Sequence, residues 1–314
     1  MKLFVKHKIT IGTRSSKLAL WQACFIKEEL QKLHPQLEIT LQEIKTKGDH
    51  ITDVALSKIG TKGLFTKEIE DAILNTEVDL AVHSLKDLPT KLPEGLKISA
   101  VLNRENPCDV LISRNKIKFK DLPSGSKIGT SSLRRISQLK ALRTDLEYLD
   151  LRGNLDTRIR KLEEGQYDAI ILAYAGVKRL GFEAKITEHF NPKEILPAVG
   201  QGSLAIEIRE NDSTIEKLIS SLNNDEAFLC SIAERAFLNT LQGGCQVPIG
   251  AYSEISDSKI TLYGLISSLN GEKIIKDKMT DILEKNNCYN LGNNLAKALL
   301  QKGGQEILEL VLSS

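Results

Sequence analysis

Strand-like and helix-like segments alternate along the first two hundred residues, and this alternation constrains the fold more than any other feature of the chain. Strand patterns at Lys8–Thr13, Asp79–His83, Lys127–Thr130 and Asp168–Ala173 each run into a turn or a helix start. Strands that alternate with helices in this way favour parallel sheets covered by helices on both faces. We therefore predict an α/β fold.

A short repeat indicates that the alternation builds two similar lobes. Ile11–Ser16 reads Ile-Gly-Thr-Arg-Ser-Ser, and Ile128–Ser132 reads Ile-Gly-Thr-Ser-Ser. In both copies a strand is followed by a turn and by serine at a helix start. Two ordinary serine N-caps explain the serines but leave the shared Ile-Gly-Thr unexplained. If the copies are equivalent, each lobe directs a helix N-terminus into the space between the lobes, where free N–H groups suit an anion.

The length of the chain favours more than one hydrophobic core. With 314 residues, two or three domains are expected. Asn223–Asp225 has the composition of a boundary, and the patterns after it predict a small α+β domain. Because the strand predicted at Ser203–Arg209 follows the second lobe, it is a candidate to return to the first.

Composition excludes several classes of protein. The net charge of +2 argues against a chain that coats nucleic acid. The five cysteines are scattered and include no Cys-x-x-Cys pair, which predicts neither disulfides nor a zinc site and suits a reducing compartment. The N-terminus lacks a signal-peptide pattern and no stretch reaches the length of a membrane span, so we predict a cytoplasmic protein. Nucleotide-binding, zinc-protease and serine-hydrolase motifs are missing.

Cations are concentrated between Ser132 and Leu162. They are Arg134, Arg135, Lys140, Arg143, Arg152, Arg158, Arg160 and Lys161. Arg134 and Arg135 fall in the first turn of a predicted helix, where the helix dipole disfavours cations, and Arg152 follows a strand at the usual ligand edge. Since stability rules fail mainly at functional sites, this pattern predicts a polyanion site. Arg143, Arg160 and Lys161 are interpreted as a solvated helix face.

His83–Pro89 places polar groups directly after a buried strand, which is also the usual ligand edge. Asp87 lies between a cation and apolar residues, where a carboxylate could exchange protons or stabilise a cationic intermediate. The alternative is a helix cap or turn residue ahead of Pro89. His83 alone is more typical of a hydrogen-bonded core histidine than of a catalyst.

Two glycine-rich segments remain open to different interpretations. Leu241–Gly250 ends a helical pattern with two glycines and then presents Cys245 ahead of Pro248. That thiol could be a nucleophile, an attachment point or a small buried hydrophobe. Gly48–Gly63 contains three glycines and weak periodicity, which fits either an active-site lid or a surface loop.

Eight segments, in order from residue 11 to residue 250, resemble the porphobilinogen deaminase family. They are Ile11–Gln22 (IGTRSSKLALWQ), Gly60–Phe65 (GTKGLF), His83–Pro89 (HSLKDLP), Ile128–Leu139 (IGTSSLRRISQL), Leu151–Arg158 (LRGNLDTR), Leu172–Gly181 (LAYAGVKRLG), Leu196–Gly202 (LPAVGQG) and Glu234–Gly250 (ERAFLNTLQGGCQVPIG). The chain after Gly250 carries no such motif.

The resemblance implies a fold of two α/β lobes like those of type II periplasmic binding proteins, followed by a small C-terminal α+β domain. Domain 1 would comprise residues 1–103 and 201–222, domain 2 residues 104–200, and domain 3 residues 223–314. Cys245 matches the cysteine that carries a dipyrromethane cofactor through a thioether, and Asp87 matches the catalytic aspartate. The other matched cofactor-binding positions are Lys86, Ser132, Arg134, Arg135 and Arg158, together with Asp87 itself. Substrate-binding positions are Arg14, Ser16, Gln22, Lys62, Arg152, Asn154, Arg179 and Gln201.

The reaction implied by the resemblance joins four porphobilinogens head to tail, releases ammonia each time, and ends with hydrolysis to hydroxymethylbilane in heme synthesis. Asp87 would assist loss of the amino group and stabilise the azafulvene cation. Each pyrrole carries an acetate and a propionate, so the product chain is a polyanion that needs several fixed cations. The family expectation is a monomer without nucleic-acid or membrane partners. The competing interpretations are a non-catalytic two-lobed anion-binding protein, which leaves Asp87 and the cysteine loop unexplained, and a transcriptional sensor, for which no DNA-binding unit is evident.

Overall fold

The computed structural model describes residues 7–50, 63–242 and 247–312. The chain divides into two compact units. Unit 1 takes its described residues from Met1–Asp53, Lys62–Arg104 and Ser203–Phe228. Unit 2 takes them from Glu105–Gly202 and Leu229–Ser314. The division into three domains and its boundaries stay a prediction.

Strands and helices alternate in the order that the sequence patterns indicate. The strands of the described residues are β1 (Lys8–Thr13), β2 (Glu38–Glu43), β3 (Leu80–Ser84), β4 (Leu96–Val101), β5 (Asp109–Ser113), β6 (Lys127–Gly129), β7 (Glu147–Leu149), β8 (Ala169–Ala173), β9 (Glu188–His189), β10 (Leu204–Arg209), β11 (Ile249–Ser256), β12 (Lys259–Ser267) and β13 (Ile274–Ile282). The α-helices are α1 (Lys17–Leu33), α2 (Lys47–His50), α3 (Lys67–Leu74), α4 (Leu133–Lys140), α5 (Leu155–Glu163), α6 (Tyr174–Arg179), α7 (Ser213–Ile219), α8 (Asp225–Thr240), α9 (Lys285–Leu299) and α10 (Gln305–Leu312). Within these described ranges, no helix has both the length and the apolar composition needed to cross a bilayer.

Unit 1 is built on a five-stranded sheet in the order β2-β1-β3-β10-β4. The strands β2, β1 and β3 are parallel, whereas β10 is antiparallel to both of its neighbours, β3 and β4. The apolar side of α1 buries Ala23, Ile26 and Leu30 against one face of this sheet. On the other face, α3 packs Ile69 and Ile73 in a separate cluster. The helices therefore cover both faces of the sheet, as the sequence predicts.

Unit 2 contains a second five-stranded sheet in the order β7-β6-β8-β5-β9. Here β7, β6 and β8 are parallel, and β5 is antiparallel to β8 and β9. Both sheets thus place the first strand of their parallel set in second position and an antiparallel strand in fourth position. The predicted fold class, two similar α/β lobes with a small C-terminal α+β domain, is confirmed.

The expectation of parallel sheets holds only in part, because both sheets are mixed. In the first sheet, β10 enters after a long excursion of the chain through the second sheet. In the second, β5 precedes the parallel set. Neither strand is delivered by a strand-helix-strand crossover, which is the connection that enforces parallel pairing. Each is therefore free to run antiparallel.

The shared Ile-Gly-Thr marks equivalent positions in the two sheets. Ile11 and Gly12 pair with the start of β3, and Ile128 and Gly129 pair with the start of β8. A Cβ at Gly12 would lie 3.1 Å from a methyl of Val78, and one at Gly129 would lie 2.9 Å from the ring of Tyr167. The glycine recurs because in each sheet the side chain two residues ahead of the neighbouring strand, β3 or β8, approaches it too closely for a larger residue.

The C-terminal part of unit 2 is a three-stranded antiparallel sheet, β11-β12-β13, packed against helices. Phe237 of α8 and Leu295 of α9 are fully buried against Leu262 of β12 in one continuous apolar cluster. Along β13, more and less exposed residues alternate, which is the period of a strand with one solvated face. The small α+β arrangement predicted for this part of the chain is therefore present.

Candidate functional site

Asp87 lies on a short 3₁₀ turn, Leu85–Asp87, that follows β3 directly. Leu85 and Leu88 on either side are buried in an apolar cluster. This spacing leaves Lys86 half-buried and Asp87 exposed. The Leu85 amide donates to the carbonyl of Ser203 at 3.0 Å, which attaches the start of the turn to the residue before β10. The carboxylate is thus presented to solvent from an anchored turn.

The matched residues around α1 lie at the same edge of the first sheet. Because β1 and β3 are parallel, Arg14 after β1 and Asp87 after β3 both follow the carboxyl ends of their strands. Ser16 caps α1, its Oγ accepting from the Ala19 amide at 3.3 Å. Gln22 is buried and donates through Nε2 to Ser84 Oγ at 2.8 Å. The structure therefore assigns positioning contacts to Ser16 and Gln22.

A buried ion-pair centre dominates the corresponding part of unit 2. Asp109 is fully buried at the start of β5 and accepts from Arg134 Nη1 at 2.8 Å and from Arg135 Nη2 at 2.7 Å. The same guanidiniums donate to the carbonyls of Leu196 and Ile171. Burial alone would raise the pKa of Asp109, but the two guanidiniums outweigh it and hold that pKa well below its usual range.

This centre changes the interpretation of the arginine pair. The first-turn position of Arg134 and Arg135 is explained within the chain by Asp109, so the position by itself no longer indicates a ligand. Among the described residues, the buried Nε of Arg135 has no hydrogen-bond partner. Cofactor binding by these two side chains stays a prediction.

Gln201 and Arg179 contact the same region of unit 2. Gln201 is buried and donates through Nε2 to Asp109 Oδ1 at 2.9 Å and to the Pro107 carbonyl at 2.7 Å. Arg179 donates through Nη2 to the Gly202 carbonyl at 2.7 Å. Burial lowers the pKa of Arg179 to about 10, which leaves the guanidinium charged at neutral pH. Gln201 therefore joins the Asp109 centre directly, and Arg179 holds the turn that carries Gln201.

The remaining matched residues of unit 2 follow parallel strands at one sheet edge. Ser132 and Asn154 stand at the N-caps of α4 and α5, after β6 and β7, and neither side chain makes a capping bond in the described structure. Arg158 donates through Nε to the Gly153 carbonyl at 2.8 Å, and Arg152 Nε lies 3.6 Å from Asp150 Oδ2. The sheet thus brings residues from two separate segments to the carboxyl ends of the adjacent strands β6 and β7.

Three predictions fall partly or wholly outside the described residues. Cys245 and Lys62 are outside them, as is most of the Gly48–Gly63 segment. Their roles as attachment site, substrate contact and lid stay predictions.

The other cysteines are accounted for by packing or exposure. Cys24 is exposed, whereas Cys108, Cys230 and Cys288 are buried. Burial raises the pKa of the Cys108 thiol to about 12 and also raises that of Cys288. Both thiols are therefore protonated at neutral pH and weakly nucleophilic.

Asp109 is the residue of this region that sequence reasoning missed. Its signal is visible in the sequence, where an aspartate opens an otherwise apolar strand, Asp109–Ser113. A charged residue in such a strand is buried only when it is paired. The partners lie 25 and 26 residues away, at a separation that strand periodicity does not reveal.

We expect Asp109→Asn to lower the free energy of unfolding by about 3–5 kcal/mol, since it leaves two buried guanidiniums with one neutral partner. Chemical denaturation of the purified protein measures this change. Asp145→Asn is the matched control, because Asp145 also binds a guanidinium bidentately, that of Arg143, but at an exposed position. Equal losses in the two variants would contradict a special role for the buried centre.

Two sequence models of one protein family match most of the chain. The model described as porphobilinogen deaminase, dipyromethane cofactor binding domain, matches residues 9–217. The model described as porphobilinogen deaminase, C-terminal domain, matches residues 228–301. Together they cover the sequence that forms both five-stranded sheets and most of the C-terminal domain.

Curated relatives extend over nearly the whole chain. The porphobilinogen deaminase of Carboxydothermus hydrogenoformans is 53% identical over 305 residues, 97% of this chain and 97% of the relative. That of Syntrophomonas wolfei is 50% identical over 302 residues, 96% of this chain and 98% of the relative. Among solved structures, an arginine-specific periplasmic binding protein of Salmonella typhimurium matches with a TM-score of 0.40 at 13% identity, covering 69% of this chain and 91% of that protein.

Proposed function

The chain belongs to the porphobilinogen deaminase family, and we propose that it is a hydroxymethylbilane synthase, a transferase of tetrapyrrole synthesis. It would join four porphobilinogens head to tail on a dipyrromethane, release one ammonia per addition, and free the product by hydrolysis. The observation that carries this proposal is the match to the dipyrromethane-binding domain over residues 9–217. Asp87, exposed on an anchored turn within that range, supports it.

The charged groups of the described structure fit a cofactor that bears several carboxylates. Arg14 and Lys86 lie at the ligand edge of the first sheet, and Arg152 and Arg158 lie at that of the second. The guanidinium group of arginine and the ammonium group of lysine bind carboxylates by charge-assisted hydrogen bonds. We propose that these cations hold the acetate and propionate groups and that Cys245 attaches the cofactor. The bound dipyrromethane supplies the pyrrole carbon that accepts the first substrate.

Asp87 is the proposed catalytic residue. Its carboxylate can stabilise positive charge on the substrate as the amino group leaves as ammonia, and it can accept a proton released from the pyrrole ring. Lys86 is adjacent in sequence and is proposed to bind a substrate or cofactor carboxylate rather than to exchange protons. The short turn fixes both groups, so neither must be ordered at the moment of reaction.

Two measurements on the intact protein test this proposal. Incubation with porphobilinogen should release ammonia and form hydroxymethylbilane, and mass spectrometry of the denatured protein should show the covalent excess of one dipyrromethane. An unmodified chain from a host that makes the cofactor, together with no release of ammonia, would favour the non-catalytic anion-binding alternative. The two readouts report different steps, because the mass reports attachment of the cofactor and the ammonia reports turnover.

A further inference from the structure

The end of β3, just ahead of the turn that carries Asp87, is held from both faces of the sheet. Successive side chains of a strand point to opposite faces. On one face, the buried His83 places Nε2 3.0 Å from Oε2 of Glu207 in the neighbouring β10. On the other face, Ser84 accepts a hydrogen bond from Gln22 at 2.8 Å. Both residues immediately before Leu85 are therefore held by side-chain contacts.

Glu207 is unusual because it is a fully buried glutamate in the middle of a sheet. Neither of its carboxylate oxygens makes a well-oriented hydrogen bond within the described structure, so the close approach of His83 is its main polar contact. A proton must lie between Nε2 and Oε2 for a 3.0 Å approach to be attractive, which requires the ring to donate or the acid to be protonated. The charges on neighbouring residues influence where that proton lies.

Glu70 of α3 is the third member of the cluster. It is also buried, and its Oε1 has no hydrogen-bond partner among the described residues. Burial raises the pKa of Glu70, the Thr66 hydroxyl lowers it, the charge of Glu207 raises it again, and His83 has a smaller opposing effect; the net direction is a raised pKa. Two buried carboxylates that share one neighbourhood do not both ionise at low cost. These effects together favour the protonated form of Glu70.

The surrounding charges leave this assignment unchanged. Asp71, the next residue of α3, adds negative charge near Glu70 and favours its protonated form. Arg209 follows Glu207 in β10 but is committed to Asp212 at 2.6 Å and to Asp79 at 3.5 Å. Of the strands packed on α3, β1 contains one titratable residue, Lys8, which pairs with Glu38. Within the described residues the three groups do not form an arrangement that could hold a metal ion.

We propose that Glu207 and His83 are positioning residues that fix the turn of Asp87. The inference rests on the proposed function, because it assigns the pair to the same reaction. The pair acts through the backbone, since His83 lies four residues before Asp87 on a strand that leads directly into the 3₁₀ turn. Replacing the Glu207 carboxyl group would therefore weaken one of the two side-chain contacts that hold the end of β3. A displacement of about 1 Å at a catalytic group lowers a rate by about 100-fold.

The experiment compares Glu207→Gln with Glu70→Gln in the complete, cofactor-loaded protein. Both substitutions replace a buried carboxyl group by an amide of the same size, but only the first alters the residue that His83 contacts at 3.0 Å. We expect Glu207→Gln to lower kcat about 10- to 100-fold with KM changed less than about threefold, because the substrate-binding cations lie elsewhere. Glu70→Gln should keep kcat within about twofold of wild type at pH 7. Full kcat in Glu207→Gln, or equal losses in both variants, would overturn the proposal.

A second pair of variants keeps the test informative if Glu207→Gln fails to fold. His83→Gln retains an N–H donor toward Glu207, whereas His83→Ala retains none. We expect the glutamine variant to keep a kcat at least about fivefold higher than the alanine variant, and equal kcat values would count against positioning. The covalent mass of each denatured variant and the turnover of wild type are measured alongside. A wild-type protein that neither carries dipyrromethane nor releases ammonia defeats the proposed function itself, whatever the variants show.

The raised pKa of Glu70 also predicts how the stability of the protein changes with pH. Its pKa is raised in the folded state, so its contribution is fully present below the ordinary value of 4.5 and is lost as the pH rises through the folded-state pKa. In the Glu70→Gln variant the side chain cannot ionise, so the variant does not lose stability in this way as the pH rises. The Tm of the variant should therefore rise relative to wild type as the pH is raised above 4.5, as measured by calorimetry. A difference in Tm that does not change with pH would show that Glu70 is not protonated by its surroundings.

Discussion

Cys245→Ala is expected to yield a protein whose denatured mass lacks dipyrromethane and whose turnover of porphobilinogen is abolished. The proposed thioether needs a sulfur atom at this position, and alanine offers no atom to bond. Without an attached acceptor, the first condensation has no starting point. Mass spectrometry of the denatured chain measures attachment, and release of ammonia measures turnover. Both are expected to fall below detection, which makes this the largest effect of any substitution considered for this chain.

Cys24→Ala is the matched control for that experiment. Cys24 is exposed on α1, so it is the accessible thiol within the described residues, whereas Cys108 and Cys288 are buried and their thiol pKa values are raised. The control should keep both the cofactor mass and the activity. If Cys245→Ala still carried the cofactor and Cys24→Ala lost it, the attachment site would have to move to α1.

Asp87→Asn is expected to keep the covalent cofactor and lose most of the turnover. Asparagine has nearly the same shape, so the turn Leu85–Asp87 and its anchoring by Leu85 and Leu88 should persist. It carries no negative charge, however, and can neither stabilise a developing cation nor accept a proton readily. General acid-base groups contribute about 10²–10⁴-fold to rates, so we expect kcat to fall by that factor.

Asp121→Asn serves as the control for charge removal, because Asp121 is an exposed aspartate that likewise ends a 3₁₀ turn, Phe119–Asp121. It should change kcat by less than about twofold, in keeping with surface substitutions remote from a site. Single-turnover and steady-state assays, with the cofactor mass checked in each variant, separate chemistry from loading. Near-normal turnover by a fully loaded Asp87→Asn would remove Asp87 from the mechanism.

Local patterns predict the elements of this fold well, and non-local pairing explains what they miss. The predicted bounds of β1, Lys8–Thr13, agree with the structure, and those of β3, β8 and β10 agree to within one residue. The two-residue strand β9 is too short to show a period. The antiparallel directions of β5 and β10 do not follow from local patterns, because direction depends on where the chain goes after leaving one sheet.

The candidate site shows the same division. Motifs located Asp87 and the matched cations by residue number. The sequence patterns do not predict the contacts of two buried acids, Asp109 in unit 2 and Glu207 in unit 1, although each is a lone acid in an apolar strand. A single acid in an apolar strand indicates that a partner exists elsewhere in the chain. It does not report which of the many cations or histidines elsewhere in the chain supplies it.

The insertion of β10 between β3 and β4 has a consequence for synthesis on the ribosome. About 120 residues separate Ser84, the end of β3, from Leu204, so at about 5–20 residues per second β3 is complete about 6–24 s before β10 begins to be made. During that time β3 has an open edge, the kind of edge that recruits other strands. The Ser203 carbonyl and Glu207 both arrive with β10. The turn that carries Asp87 is thus synthesised early but gains these contacts late, and the edge of β3 stays open to mispairing until β10 has been made.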